Sequence, residues 1–274
     1  MKHTIDHLLR HSGLPRLEAR MLLQAVSGYD HAALLMCGNE CLSENQAAQW
    51  QQLLARRLAG EPMAYILGKR EFYGRSFATT PATLIPRPET EHLVEAVLAR
   101  MPREGKVWDL GTGSGAVAVT LACERPDAAV FASDISKDAL AVAGRNAATL
   151  GANVRFACGS WYQAFAPEQT GLLDIIVSNP PYIEADDPHL AQGDLRFEPA
   201  GALTDFADGL SAIRVLAAGG RERLQANGWL LMEHGWNQGE AVRKILLDNG
   251  FAEVATEQDL AGLDRLSMGR WPGG

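Results

Sequence analysis

The segment Asn179-Pro180-Pro181-Tyr182 narrows the chemistry of this chain more than any other. Two successive prolines remove two N–H donors and stiffen the backbone. The Pro180 carbonyl and the Asn179 side-chain oxygen can then converge as acceptors on one planar NH2 group, with Tyr182 as an aromatic wall beside it. A carboxamide or an exocyclic base nitrogen is such a group, and a poor nucleophile, because its lone pair is delocalised. Two acceptors holding its hydrogens orient the nitrogen toward an incoming methyl and stabilise the positive charge it gains. Alignment with a sulfonium donor adds an entropic advantage that in model reactions reaches ~10⁵ M or more in effective concentration. No dedicated general base is required, since the proton becomes acidic once the methyl has arrived.

A second segment supplies the donor side. Asp109-Leu110-Gly111-Thr112-Gly113-Ser114-Gly115 ends an apolar strand and opens a helix. Glycines let the backbone turn sharply and approach a ligand without Cβ interference, and the helix N-terminus points at the same place. Asp134, after Ala132-Ser133, ends the next strand, where a carboxylate can accept both hydroxyls of an adenosine ribose. Gly111, Gly113 and Ala116 also fit the G-x-G-x-x-G/A dinucleotide pattern with an acid roughly 20 residues on, so NAD binding is a live alternative at this point. Asp109 before the loop and Gly115 within it tilt the reading toward S-adenosylmethionine.

The elements that must position these segments follow from periodicity. Residues 1 to about 60 read as helices: Ile5, Leu8 and Leu9 share a face, as do Leu17 and Met21, and Trp50, Leu54 and Leu58 recur every four residues. Ser43 with Gln46 forms a capping box, and Gly60-Glu61-Pro62 stops the last helix. Tyr65-Ile66-Leu67, Phe72-Tyr73 and residues 76–80 are β-formers separated by Gly68 and Gly74, which reads as a hairpin linker. From Lys106 onward strands and helices alternate. Strands are expected at 107–110, 129–132, 154–157, 174–178 and 229–232, with 251–255 and 266–270 as a closing pair. Helices are expected at 116–123, 137–150, 209–224 and 240–248, after one carrying Leu93, Val94 and Val97. This pattern specifies an α/β fold, a mostly parallel sheet with helices on both faces and ligands at the carboxyl ends of the strands. The domain reading is residues 1–62 helical, 63–86 hairpin linker, and 87–274 the α/β unit that carries both motifs.

Composition excludes several classes. The 274 residues are 47% hydrophobic, enough for a sizeable core, and no apolar run approaches the roughly 20 residues of a membrane span. No signal peptide is apparent at residues 1–10, so a cytoplasmic protein is expected, without membrane association. A net charge of −8 argues against stable nucleic-acid binding. Cys37, Cys41, Cys123 and Cys158 form no C-x-x-C unit and read as reduced structural thiols.

The glycine loop, Asp134 and Asn-Pro-Pro-Tyr together resemble class I methyltransferases acting on planar conjugated amino groups. Gly60 to Gly68 (GEPMAYILG), Thr83 to Glu91 (TLIPRPETE), Arg196-Phe197-Glu198-Pro199 and Glu233-His234-Gly235 narrow the resemblance to the release-factor glutamine methyltransferases, over nearly the whole chain. That resemblance implies a class I Rossmann-like sheet, catalytic over residues 87–274, behind a small N-terminal helical domain, residues 1–62, that docks the substrate. It implies methyl transfer from S-adenosylmethionine to the glutamine of the Gly-Gly-Gln loop in class 1 peptide chain release factors, leaving S-adenosylhomocysteine. Asn179, Pro180, Pro181 and Tyr182 would hold the glutamine. Gly111, Thr112, Gly113, Ser114, Gly115, Asp134 and Asn179 would contact the donor, with Trp161 beside the adenine. Ser160 stands where related enzymes often carry an acid near the adenine amino group. The resemblance carries no metal role, and a monomer is expected.

Other readings have less to support them. A ribosomal-protein glutamine methyltransferase or an adenine-N6 nucleic-acid methyltransferase would use the same four-residue motif, the latter against the acidic charge. An NAD-dependent oxidoreductase would leave Asn-Pro-Pro-Tyr without a task, and a non-catalytic binding module would have kept both motifs for nothing. His3, His7 and His11 share a helix face, but a solvated face explains them better than a metal. His189 and His234 flank the site region and are assigned structural hydrogen bonding. Arg87 and Glu89 either shape the pocket or form an interdomain ion pair.

Overall fold

A computed structural model describes residues 4–273, which divide into two compact units between Lys69 and Arg70. The first unit is helical: α1 (Ile5–His11), α2 (Arg16–Ser27), α3 (His31–Met36), α4 (Glu44–Leu58) and α5 (Met63–Leu67). Side chains close the helix starts, Thr4 for α1 and Asp30 for α3, and Ser43 and Gln46 form a reciprocal capping box on α4. Each satisfies N–H groups that a first helical turn leaves unpaired. Ile5, Leu8, Leu22, Leu23, Leu34 and Trp50 make the core. The buried face of α2 is Ala19, Leu22, Leu23 and Val26, whereas Leu17 and Leu58 are exposed. Four apolar residues at helical spacing outweigh the Leu17–Met21 pair in setting the inward face.

Residues 65–67, read as strand, are the last turn of α5. Gly68 ends that helix in the left-handed region at φ 69°, and Tyr65 and Ile66 are buried. Their β propensity yields to this burial and to the glycine stop. The hairpin lies just beyond, as β1 (Lys69–Phe72) and β2 (Arg75–Ala78), turning through Tyr73 and Gly74, both at positive φ.

The second unit continues through α6 (Thr90–Arg100), β3 (Lys106–Leu110), α7 (Ala116–Glu124), β4 (Ala129–Asp134), α8 (Lys137–Leu150) and β5 (Val154–Cys158). There follow α9 (Pro167–Thr170), β6 (Leu173–Ser178), α10 (Ala200–Leu203), α11 (Ser211–Arg223) and β7 (Leu224–Glu233). The last elements are α12 (Gly239–Asp248), β8 (Ala252–Gln258) and β9 (Asp264–Arg270). Seven strands form one sheet in the order β5-β4-β3-β6-β7-β9-β8, parallel except for the pairings of β9. Helices cover both faces, as the alternation requires. Val107, Val130, Ile175 and Val177 pack toward α6 and α7, while Trp108, Phe131, Ile176 and Leu230 pack toward α11 and α12. The alternation of faces along each strand accounts for this division.

The strand order places the site. In register, Asp109 of β3 lies between Ala132 of β4 and Val177 of β6. The glycine loop, Asp134 and Asn179 therefore leave the sheet side by side from one carboxyl edge. The connection from β6 to α11 folds back on itself: Ile183 N–H donates to the Leu203 carbonyl at 2.9 Å, and Ala185 N–H to that of Ala207 at 3.0 Å. Among the described residues, no helix is long and apolar enough to cross a membrane.

Candidate active site

The glycine loop is held from beneath by β4. Both Gly111 and Thr112 donate backbone N–H groups to the Ser133 carbonyl at 2.9 Å. Gly111, Gly113 and Gly115 take φ of 76°, 55° and 82°, a conformation that L side chains resist. Gly115 begins α7 so close to α8 that an added Cβ would lie 3.1 Å from Ala143 Cβ and from Val119 Cγ2.

Two carboxylates shape the same loop. Asp134 Oδ2 accepts from Gly113 N–H at 2.9 Å, and Oδ1 accepts from Ser136 N–H at 2.8 Å. Its remaining lone pairs are free in number to meet two hydroxyls. Asp109 is 2% exposed, and burial pushes its carboxyl up to about 7 against the hydrogen bonds from Thr112 and Ala118. The Thr112 hydroxyl donates to Asp109 Oδ2 at 2.6 Å.

These residues line a cavity of about 600 Å³. Gly111, Thr112, Gly113, Ser114, Asp134, Ser160, Trp161, Asn179 and Pro181 all contribute to its wall. Gly115 lies outside that lining and packs behind the loop against α8. Trp161 sits at φ 46° with its Cζ3 3.8 Å from where a Cβ on Gly111 would be, so the indole leans over the loop. Exposed Ile135 and Phe206 extend the apolar rim.

Pro180 and Tyr182 face a smaller adjoining cavity of about 60 Å³, with Leu84, Ile183 and Leu203. Asn179 and Arg87 border both spaces. Asn179 Nδ2 donates to Thr90 Oγ1 at 3.1 Å, and Thr90 Oγ1 donates to Glu233 Oε2 at 2.7 Å. The Tyr182 hydroxyl reaches Glu233 Oε1 at 3.3 Å, and its carbonyl accepts from Gln238 Nε2 at 3.0 Å. Burial raises the Tyr182 hydroxyl above its ordinary range, with the Glu233 carboxylate adding to the effect, and burial likewise raises Glu233.

Sequence reading missed Thr90, Glu233 and Gln238 as site residues. Thr90 and Glu233 lie inside segments that carry the family resemblance, which was the available signal, but nothing in the chain announces a contact across 143 positions. Arg87 pairs with Glu198, whose side chain is fully buried, and not with Glu89. Glu198 also accepts from Ile85 N–H at 3.0 Å, so the pair fixes the segment leading to α6 within the second unit.

His189 and His234 line neither cavity. His189 is exposed and pairs with Asp187 at 2.7 Å. His234 is fully buried between the Gly235 carbonyl at 2.9 Å and Ser267 Oγ at 2.8 Å, and burial holds its pKa down. His7 and His11 stack with ring centroids 4.2 Å apart, while His3 lies outside the described residues. Among the described residues, no group of three or more His, Cys, Asp or Glu is arranged to hold a metal, and all four cysteines are free thiols.

Comparison with known proteins gives these features a family. Residues 2–68 match the PrmC N-terminal domain, and residues 88–200 match the methyltransferase small domain. The chain is 61% identical over 98% of its length to a release factor glutamine methyltransferase of Neisseria gonorrhoeae, of which it covers 98%. The chain belongs to the release factor glutamine methyltransferase family. A second member, from Bordetella pertussis, is 53% identical over 97% of this chain and 98% of its own. Among solved structures, a methyltransferase from Pyrococcus furiosus superposes with a TM-score of 0.57 at 17% identity, covering 82% of this chain and 100% of that one. That likeness is one of fold.

Proposed function

We propose that this enzyme transfers a methyl group from S-adenosylmethionine to the side-chain N5 of the glutamine in the Gly-Gly-Gln loop of class 1 peptide chain release factors. The products are N5-methylglutamine and S-adenosylhomocysteine. The observation that carries the reading is the Asn179 amide: it borders both cavities, and its Nδ2 is committed to Thr90. Its Oδ1 is thereby left as the acceptor for a planar substrate amide. The 61% identity to a release factor glutamine methyltransferase supports the same substrate.

A cavity of about 600 Å³ lies within the range of about 300–1,000 Å³ usual for cofactor-sized ligands. The loop from Gly111 to Gly115, together with Asp134 and Trp161, would hold the donor, with Asp134 on the ribose and Trp161 beside the adenine. The donor supplies an electrophilic methyl on a sulfonium sulfur. Asn179 Oδ1 and the Pro180 carbonyl would accept the two amide hydrogens of the glutamine and aim its nitrogen at that methyl. Pro181 keeps this turn stiff, and Tyr182 flanks the amide plane. As the N–C bond forms and the S–C bond breaks, positive charge passes from sulfur to nitrogen, where the two acceptors stabilise it. The nitrogen then loses its proton to solvent.

A net charge of −8 favours a protein substrate over nucleic acid, and we expect the enzyme to act as a monomer. The test is methyl transfer from labelled donor to a purified, unmodified release factor, with its loop Gln→Ala variant and DNA as parallel substrates. One methyl on the loop glutamine alone is the expected result. Label on DNA would move the assignment to an adenine methyltransferase.

A further inference from the structure

Asn179 can do its work in only one of two orientations. An amide turned by half a revolution presents NH2 to the substrate's NH2, and donor then faces donor. The two orientations differ little in shape, so hydrogen bonding must choose between them.

We infer that Thr90 and Glu233 are positioning residues that hold the Asn179 amide with its oxygen toward the substrate; this rests on the methyl-transfer reading above. The argument is one of proton count. Thr90 Oγ1 has a single proton, and an ionised Glu233 can only accept. At 2.7 Å that proton goes to Glu233 Oε2. Thr90 must therefore accept at its other contact, 3.1 Å from Asn179, and only the Nδ2 end of the amide can donate there. The sequence Asn179 to Thr90 to Glu233 has one direction. Thr90 and Glu233 are 5% and 3% exposed, and Thr90 meets the larger cavity only at its wall, so these hydrogen bonds face little competition from water.

Glu233 anchors a second member of the motif, since its Oε1 takes the Tyr182 hydroxyl at 3.3 Å. One buried carboxylate on β7 thus sets both ends of the four-residue turn after β6. Protonation at Oε2 would reverse the relay: Glu233 would donate to Thr90, Thr90 to the amide oxygen, and NH2 would face the substrate. The charged and titratable groups acting on Glu233 are Tyr182 beyond β6, Glu89 before α6 and Arg265 on β9, with Glu89 favouring protonation and Arg265 opposing it.

The decisive variants are Thr90→Val, which keeps the shape and removes the hydroxyl, and Thr90→Ser, which keeps the hydroxyl. Losing a buried hydrogen bond from one side of a two-position amide shifts its equilibrium by about 10- to 100-fold. Methyl transfer to a release factor should show kcat down at least about twofold in Thr90→Val, where the amide is no longer held, and at most by that factor. Donor affinity by calorimetry and release-factor KM should stay unchanged within error. Thr90→Ser should restore kcat, and the acid limb of the wild-type kcat–pH profile should be lost in Thr90→Val. A wild-type kcat in Thr90→Val, a loss that Thr90→Ser does not restore, or a donor affinity that falls in parallel with kcat would overturn the assignment. If Thr90→Val does not fold, Thr90→Ala is compared with Thr90→Ser by the same criteria. Failure of the wild-type enzyme to methylate any release factor would instead overturn the functional reading itself.

Discussion

Asn146 on α8 and Ala78 at the end of β2 exchange a pair of hydrogen bonds. Ala78 N–H donates to Asn146 Oδ1 at 2.8 Å, and Asn146 Nδ2 donates to the Ala78 carbonyl at 3.1 Å. The same Nδ2 reaches the Ser114 carbonyl at 2.8 Å, so one amide that is 2% exposed ties the hairpin to the glycine loop. Asn146→Ala strands three backbone groups and should cost roughly 2–4 kcal/mol of stability, read from urea denaturation. Donor affinity should fall with it, because Ser114 lines the donor cavity.

Asn179→Ala removes an acceptor needed when charge develops. We expect kcat to fall by about 10²–10³, the usual cost of one transition-state hydrogen bond of this kind. Donor affinity, measured by calorimetry, should change far less. Comparable losses in both would mean that Asn179 serves donor binding and not the amide.

Asp134→Ala acts on the other substrate. The carboxylate organises Gly113 and Ser136 and, in the proposed donor site, would bond the ribose. Loss of charge-assisted hydrogen bonds should weaken donor binding by roughly 1.5–3 kcal/mol. Calorimetric titration with S-adenosylhomocysteine checks it, and an unchanged affinity would take Asp134 out of the site.

Asp109 makes stability depend on pH. Burial pushes its carboxyl up to about 7, so between the ordinary aspartate range and that value the folded protein binds more protons than the unfolded chain. This contribution to stability is therefore greatest at acid pH and declines as pH rises toward 7, by roughly 1 kcal/mol per pH unit. Asp109→Asn should flatten that decline while keeping an acceptor for Thr112. Urea denaturation of the donor-free enzyme from pH 4.5 to 7.5 measures both slopes.

Gly113 and Gly115 should separate stability from binding. An alanine at Gly115 meets Ala143 and Val119 at 3.1 Å in addition to an unfavourable φ of 82°, which together cost roughly 2–4 kcal/mol. At Gly113 nothing lies within 4 Å, so Gly113→Ala bears only the backbone strain, about 1–2 kcal/mol. Because Gly113 lines the cavity, its variant should show the larger loss of donor affinity. Thermal melts with and without S-adenosylhomocysteine compare the two.

The alternation of strands and helices was legible because each parallel strand is an apolar run bounded by loop residues, as in Ile175-Ile176-Val177. The residues at strand ends were legible because glycine, proline and acid there have few other uses. Two kinds of feature were not. Local propensity misread Tyr65-Ile66-Leu67, whose helical state depends on burial in the folded unit. Long-range partners such as Thr90 with Glu233, or Arg87 with Glu198, pair residues more than 100 positions apart. No periodicity carries that information, since the strand order creates these contacts and the sequence between them does not.

The position of β9 bears on how the enzyme comes into being. This strand lies between β7 and β8 and pairs Leu266 with Glu233, antiparallel to its neighbour. Until Asp264–Arg270 has left the ribosome, β7 has an unpaired edge, and the carboxylate beneath Asn179 and Tyr182 lacks its flank. A nascent chain thus exposes an apolar strand edge from the time β7 is made until β9 follows it, the kind of surface on which chains aggregate. Donor cradle and acceptor turn are translated well before the strand that completes the sheet around them.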